Sequence, residues 1–122
     1  MPNGKICYIE IPAADVKRSA DFYVKVFGWS VRVRGDGSTA FDDTTGAVSG
    51  AWVLGRTPAK APGAIVYVMV DSIPQTVAAI LAAGGSVEQP ETSHGKGGES
   101  HATFRDPAGN LFGIYQEPRR QA

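Results

Sequence analysis

The sequence predicts an α+β fold in which one arrangement, a strand followed by a helix and three more strands, occurs twice. Apolar residues at helical spacing lie between Asp15 and Gly28, and a similar set lies between Asp71 and Gly84. In both segments the glycine follows the acidic residue by thirteen positions. We therefore expect two βαβββ modules related by internal duplication, within a single domain of 122 residues.

The first module is predicted to span about residues 4–56. Alternating apolar residues predict a strand at 5–11, with Ile9 and Ile11 on one face and Tyr8 and Glu10 on the other. A helix capped by Asp15 and ended by Gly28 should follow. The remaining predicted strands of this module are 29–33, 39–42 and 47–54.

The second module is predicted to span about 63–117, after a proline-containing linker at 57–62. Its strand at 64–70 precedes a helix capped by Asp71 and stopped by Gly84. We expect a strand to begin at 86, a polar loop over 90–98 whose glycine-rich part is a flexible connection, and strands at 100–105 and 111–116. Pro107 and Gly109 indicate a tight turn between the last two strands, and a polar tail follows Glu117.

Composition argues against several kinds of partner. The chain has 12 basic and 12 acidic residues, so it lacks the charge expected for binding nucleic acid or a membrane surface. Its single cysteine, Cys7, lies in an apolar run, where we expect it to be buried and unreactive. With no leader pattern at the start and no apolar stretch of spanning length, a cytoplasmic protein with a small-molecule ligand is expected.

Three stretches resemble the vicinal oxygen chelate superfamily: DVKRSADFYVKVFGW at 15–29, YVMVD at 67–71 with the following AGG at 83–85, and FRDPAGNLFGIY at 104–115. That superfamily includes glyoxalase I, bleomycin-resistance proteins, fosfomycin-resistance enzymes and extradiol dioxygenases. The resemblance implies a glyoxalase-like fold whose two modules curve around a concave sheet cavity. It also implies a homodimer in which both subunits contribute residues to each cavity.

The resemblance further implies where a metal ion would be bound in members that use one. The corresponding positions in this chain are Tyr8 or Ile6, then Gly50, Ile65 and Gly113, and none has the His or Glu expected there. A divalent ion needs several converging donors, so we expect no cofactor and no metal. A substitute metal site built from His94, Glu99 and His101 is an open alternative.

Two residues are candidate acids or bases. Glu10 shares a strand face with Tyr8 and could act as a base or bind a cation, or it could form an ion pair with Arg105 or a lysine. His101 could transfer a proton, or it could hydrogen-bond a ligand or a backbone group. The predicted ligand-binding residues are Tyr8, Trp29, Trp52, Tyr67, Met69, Arg105 and Tyr115, with core or dimer interface as the alternative for the two tryptophans.

These observations favour a protein that binds a small organic molecule in a sheet-lined cavity. The first alternative is a metal-independent lyase or isomerase that acts next to a carbonyl, with Glu10 or His101 as the base. The second is a metal-dependent lyase or dioxygenase with a non-standard ligand set. An interaction module with a filled cavity is the remaining possibility, and bulky side chains packed through its centre would identify it.

Overall fold

The computed structural model describes residues 3–94 and 99–118, and the chain divides between Thr57 and Pro58 into two compact units. Each unit contains one α-helix and one four-stranded sheet. The two βαβββ modules predicted from the repeated pattern are therefore confirmed.

The first unit contains β1 (Tyr8–Pro12), α1 (Val16–Phe27), β2 (Ser30–Val33), β3 (Thr39–Asp42) and β4 (Ser49–Val53). Its sheet has the strand order β1-β4-β3-β2. The first strand runs parallel to β4, and the other neighbouring strands are antiparallel. This topology places β1, the first strand of the module, at an edge of the sheet.

Helix α1 begins and ends where its capping residues predict. The Asp15 side chain accepts a hydrogen bond from the Arg18 backbone N–H at 3.1 Å. At the other end Gly28 adopts a left-handed conformation with φ 73°, and its N–H donates to the Val24 carbonyl. The predicted caps are confirmed at both ends.

Stacked aromatic rings fill the space between α1 and the first sheet. The centroid of Trp29 lies 4.7 Å from that of Tyr23 and 4.6 Å from that of Phe41, with both pairs nearly parallel. Trp52 continues the cluster at 5.0 Å from Phe41. Aromatic pairs of this kind contribute to stability beyond the apolar area that they bury, so this cluster helps to hold α1 on the first sheet.

The second unit contains β5 (Tyr67–Met69), α2 (Ile73–Ala82), β6 (Ser86–His94), β7 (Glu99–Arg105) and β8 (Leu111–Gln116). Its strand order is β5-β8-β7-β6, and β5 pairs in parallel with β8. The order mirrors that of the first unit, with the first strand of the module again beside the last. The buried apolar residues of this unit include Ile73, Ile80, Ala102, Phe104, Phe112 and Ile114.

A hydrogen-bonded turn joins β7 to β8 as the sequence predicts. The Asp106 carboxylate accepts from the backbone N–H groups of Ala108 and Asn110 at 3.0 and 2.9 Å. It also accepts from the Asn110 side-chain amide at 2.9 Å, and both side chains are buried. Gly109 supplies the positive φ, 95°. Because the turn is satisfied internally, β7 and β8 keep a continuous register.

Several predicted boundaries are wrong. The residues predicted as the start of a polar loop, up to His94, belong to β6, which lies at the edge of its sheet and has two register shifts. An irregular edge strand tolerates Pro90, whose missing N–H breaks no central ladder. The cap of α2 is Ser72, which accepts from the Gln75 N–H, and not Asp71. The glycine-rich part of the predicted loop, 95–98, lies outside the described residues.

The prediction that Cys7 is buried is also wrong. Strand β1 begins at Tyr8, so Cys7 precedes the strand and its side chain is exposed. The adjacent Ile6 is exposed as well, at 73% of its surface. The apolar run at 5–11 thus overestimates how far the strand extends toward the start of the chain.

Candidate functional site

In each unit one face of the sheet packs against the helix, and we call the opposite face the helix-free face. Cross-strand partners point to the same side of a sheet, so strand register assigns each side chain to a face. In the second unit the paired residues Met69, Tyr115 and His101 form one row across three strands. Tyr67 and Gly113 belong to the next row on the same face.

Large apolar and aromatic side chains are exposed on the helix-free face of the second sheet. Tyr67 is 45% exposed and Met69 62% exposed, although both belong to a regular strand. The Tyr67 ring lies 6.1 Å from the His101 ring in an edge-on arrangement with an interplanar angle of 74°. We define the aromatic site as Tyr67, Met69, His101 and Tyr115.

A glycine supports the position of the Tyr67 ring. A Cβ atom built on Gly113 would lie well inside contact distance of Cδ2, Cε2 and Cζ of that ring. The ring therefore lies directly against the backbone of β8. This close approach restricts the movement of the Tyr67 ring toward β8 and leaves its exposed side available to a ligand.

Tyr115 is fixed by a carboxylate of the neighbouring strand. Its hydroxyl donates a hydrogen bond to Oε2 of Glu99 at 2.8 Å. That hydrogen bond, together with desolvation and the negative charge of Glu99, raises the pKa of Tyr115 above its ordinary value. The hydrogen bond holds the Tyr115 side chain in place, in the same row of the sheet as His101.

The structure corrects the predicted positions of Trp29 and Trp52. Their exposed fractions are only 7% and 4%, and both rings belong to the aromatic cluster under α1. Trp52 pairs with Ile11, which points toward the helix, so its side chain cannot lie on the helix-free face. The alternative of ordinary core residues is the correct one for these two tryptophans.

The helix-free face of the first sheet carries charged side chains. Glu10 lies there as predicted, but its ion-pair partner is Arg56, at 2.7 Å, and neither Arg105 nor a lysine. Arg32 forms an ion pair with Asp42 at 2.9 Å. The hydrogen bond from Arg32 lowers the pKa of Asp42; desolvation opposes this with a smaller effect, and the charges of Arg32 and Arg34 lower the pKa further. Glu10 is therefore a charge-paired carboxylate in this structure.

Tyr8 lies on the same face and contacts a third arginine. The Nη2 atom of Arg34 donates to the Tyr8 hydroxyl at 2.7 Å, and the guanidinium carbon lies 5.3 Å from the centre of the Tyr8 ring. Sequence reasoning missed Arg32, Arg34 and Arg56 as site residues. Valine and arginine alternate strictly through β2 and the residue after it, SVRVR at 30–34, and this alternation was the signal that could have found Arg32 and Arg34.

Arg105 has a structural role. Its Nη1 and Nη2 atoms donate to the carbonyls of Ala59 and Lys60 at 2.9 Å each, and Nη1 also donates to that of Gly109. Its Nε atom forms an ion pair with Glu88. The guanidinium thus ties the segment before β5 to the end of β7. This role differs from the ligand binding predicted for Arg105.

The residues at the implied metal positions do not fit a metal ion. The Tyr8 hydroxyl accepts from a cationic arginine, and Gly50 and Gly113 offer no side-chain donor. Ile65 is equally without one. Within 3–94 and 99–118, no three His, Cys, Asp or Glu side chains are grouped so that they could hold an ion. The His94 side chain lies outside the described part, so the alternative set of His94, Glu99 and His101 stays a prediction.

Among the residues that the structure describes, no helix has the length and apolar character needed to cross a membrane.

The family model for the Glyoxalase/Bleomycin resistance protein/Dioxygenase superfamily matches residues 5–114 of the chain. A glyoxylase-like domain-containing protein of Didymella fabae is 31% identical, over 95% of this chain and 96% of the relative.

Two further comparisons agree. A probable lactoylglutathione lyase of Vibrio parahaemolyticus serotype O3:K6 is 30% identical, over 100% of this chain and 97% of that protein. The crystal structure of a glyoxalase/bleomycin resistance protein/dioxygenase family enzyme from Burkholderia phytofirmans PsJN has a TM-score of 0.76 at 19% identity, covering 93% of this chain and 99% of its own. The chain therefore belongs to the Glyoxalase/Bleomycin resistance protein/Dioxygenase superfamily.

Proposed function

We propose that this protein binds a small organic molecule with a planar, apolar portion at the aromatic site of the second sheet. The observation that carries the proposal is the exposed pair of Tyr67 and Met69 beside His101 and Tyr115. Tyr and Met side chains on the surface of a sheet provide apolar contact area that water hydrates poorly. A ligand that covers them gains this area without a large rearrangement of the protein.

The polar groups around the rings would orient such a ligand. His101 can donate or accept a hydrogen bond, and the Glu99 carboxylate is already engaged by Tyr115. The site is apolar over its rings and polar at one edge, which is the usual composition of small-molecule sites. Because Tyr67 rests on Gly113, its ring is preorganised, and less conformational entropy is lost on binding.

Proton transfer beside a carbonyl is the second candidate function. It is favoured by the position of His101, whose ring lies edge-on to Tyr67 and would therefore touch a ligand stacked there. The similarity to a Vibrio protein named a probable lactoylglutathione lyase is consistent with chemistry of this class. Glu10 is the weaker base candidate because Arg56 pairs with its carboxylate.

Binding is tested with indole as a neutral planar probe, by following amide proton–nitrogen correlation NMR spectra. We expect saturable shifts at β5, β7 and β8, and a loss of affinity of about threefold to tenfold in Tyr67→Ala, from the lost ring contact. Leu81→Ala is the matched control, because Leu81 is a similarly exposed apolar residue on helix α2 of the same unit. Equal binding by wild type and Tyr67→Ala would overturn the proposal.

The catalytic alternative needs a different readout. Hydroxyacetone in deuterated water exchanges the protons next to its carbonyl, and NMR measures the rate with and without protein. A base at residue 101 predicts acceleration by wild type that is lost in His101→Asn, while indole binding is retained. No acceleration by wild type above buffer would contradict proton transfer on this probe and leave the binding function unaffected.

A further inference from the structure

We propose that Arg34 and Tyr8 form a binding site for the carboxylate of a small organic acid on the helix-free face of the first sheet. This proposal does not depend on the aromatic site, because its residues belong to the other unit. It follows from three observations: which arginines of this face have an ion-pair partner, how Tyr8 holds Arg34, and the small residues beneath Tyr8 and Arg34.

The arginines of this face differ in their partners. Arg32 and Arg56 each form an ion pair with a carboxylate, at 2.9 and 2.7 Å. Arg34 instead donates to the neutral phenol of Tyr8, and among the described residues no carboxylate lies within 4.0 Å of its guanidinium. Arg34 thus has no carboxylate at contact distance, while its charge acts at longer range on the carboxylates of Asp36 and Asp42.

Tyr8 orients Arg34 and adds a donor of its own. The Tyr8 hydroxyl accepts one hydrogen bond from Nη2, so its proton is directed elsewhere and can be donated to a ligand. The guanidinium is also close to the Tyr8 ring, 5.3 Å from its centre, which restricts its rotation. Two donors, the remaining guanidinium N–H groups and the phenol O–H, are thereby held side by side.

The strand register places the pair above small side chains. One row of cross-strand partners consists of Glu10, Ala51, Ala40 and Arg32. Tyr8 belongs to the row on one side of it, and Arg34, which pairs with Ser38 beyond the end of β2, belongs to the row on the other. To meet, the two side chains must extend across this middle row, over Ala40 and Ala51. The alanines leave space for them there.

A carboxylate matches this donor pattern. Its two oxygens are coplanar and can accept from a guanidinium edge and an adjacent hydroxyl at once, and such charge-assisted bonds are the strong ones. A metal cation is disfavoured by the three arginines, and a neutral ligand would leave Arg34 without an anion at contact distance. The half-buried position of Arg34 strengthens its attraction for an anion relative to a fully solvated arginine.

Benzoate and benzamide are the test probes, because they share a ring and differ in the carboxylate. Amide NMR titrations of the full chain should show saturable benzoate shifts at residues 8, 34 and 38–40, with benzamide producing much smaller ones. We expect Arg34→Gln to weaken benzoate binding about tenfold or more and Tyr8→Phe about threefold, as for charge-assisted and neutral hydrogen bonds. Arg34→Lys should retain part of the affinity, since lysine keeps the positive charge but lacks the planar set of N–H donors of a guanidinium.

Arg18→Gln is the matched control, because it removes one positive charge from the exposed side of α1 and should leave benzoate binding unchanged. Equal shifts by benzamide, or an Arg34→Gln variant that binds as wild type, would overturn the proposal. Tighter binding of inorganic phosphate than of benzoate would overturn carboxylate as the ligand class. The aromatic-site variant Tyr67→Ala should bind benzoate at Arg34 like wild type, which separates the two proposals.

Discussion

The Tyr67 ring lies directly on the backbone of its cross-strand partner Gly113, with no room for a Cβ atom between them. Residue 113 thereby determines the position of the largest exposed ring in the aromatic site. Tyr67 is 45% exposed, so its side chain is free to move away if that space is filled. The glycine controls the geometry of the site more than the stability of the fold.

Gly113→Ala should therefore impair binding at the aromatic site at little cost in stability. The added methyl displaces the Tyr67 ring toward solvent, so we expect indole affinity to fall about as much as in Tyr67→Ala. The free energy of unfolding should change by less than about 1 kcal/mol, since the partly exposed ring can rotate away from the added methyl group. Urea unfolding and the indole titration measure the two effects. A large loss of stability with unchanged affinity would contradict this interpretation.

The hydrogen bond between Tyr115 and Glu99 predicts a pH effect. The pKa of Tyr115 is raised, so the bond contributes stability that is fully present below the ordinary tyrosine pKa of 10.0 and is lost as pH rises through the folded-state pKa. Glu99→Gln removes the charged acceptor and should lower that pKa toward the ordinary value. NMR of carbon-labelled tyrosine follows Tyr115 separately from the other three tyrosines, and Tyr115→Phe identifies its signal. An unchanged titration in Glu99→Gln would show that the bond is absent in solution.

Arg105 should be a stability residue. Its side chain is 19% exposed and holds the carbonyls of Ala59, Lys60 and Gly109 together with Glu88. Arg105→Gln should lower the free energy of unfolding by about 2 kcal/mol, because several partly buried acceptors lose their donor. It should also speed tryptic cleavage after Lys60, whereas indole binding should be little affected. Arg18→Gln controls for the lost charge, and equal stability of the two variants would contradict the role.

Alternation along the strands predicted which residues of the second sheet share a face. It assigned Tyr67, Met69, His101 and Tyr115 to one face of the second sheet, because apolar core residues such as Ile114 and Phe104 occupy the positions between them. The capping residues likewise predicted both ends of α1. The sequence alone predicts a strand face or a helix end correctly where the local pattern agrees with the burial found in the fold.

The predictions failed where local patterns were ambiguous. Small residues surround Trp52 in β4, SGAWV, so nothing in the strand itself shows which face is buried. The register with Ile11 on β1, which is a long-range pairing, decides it. Similarly, the contacts that the arginines of the first sheet make with Asp42, Glu10 and Tyr8 depend on which strands become neighbours. Such contacts arise only once the chain has folded, and the residues involved are far apart in sequence.

Trp52 also gives a test of the core assignment. Its indole Nε1 is buried and, among the described residues, has no hydrogen-bond partner, which is costly for a donor. Trp52→Phe removes that donor and retains a ring against Phe41, so the lost packing and the relieved cost should offset each other to within about 1 kcal/mol. Trp29→Phe is the comparison, because Trp29 stacks on both Tyr23 and Phe41, and we expect it to cost about 2 kcal/mol.

Urea unfolding monitored by circular dichroism measures both variants without relying on tryptophan fluorescence, and the indole titration at the second sheet serves as the functional readout. Neither substitution should change indole affinity, since both tryptophans pack beneath α1 and not on a helix-free face. If Trp52→Phe proved much more destabilising than Trp29→Phe, the Nε1 atom would have a partner in solution. A loss of indole affinity in either variant would return that tryptophan to the ligand-binding role that the sequence first indicated.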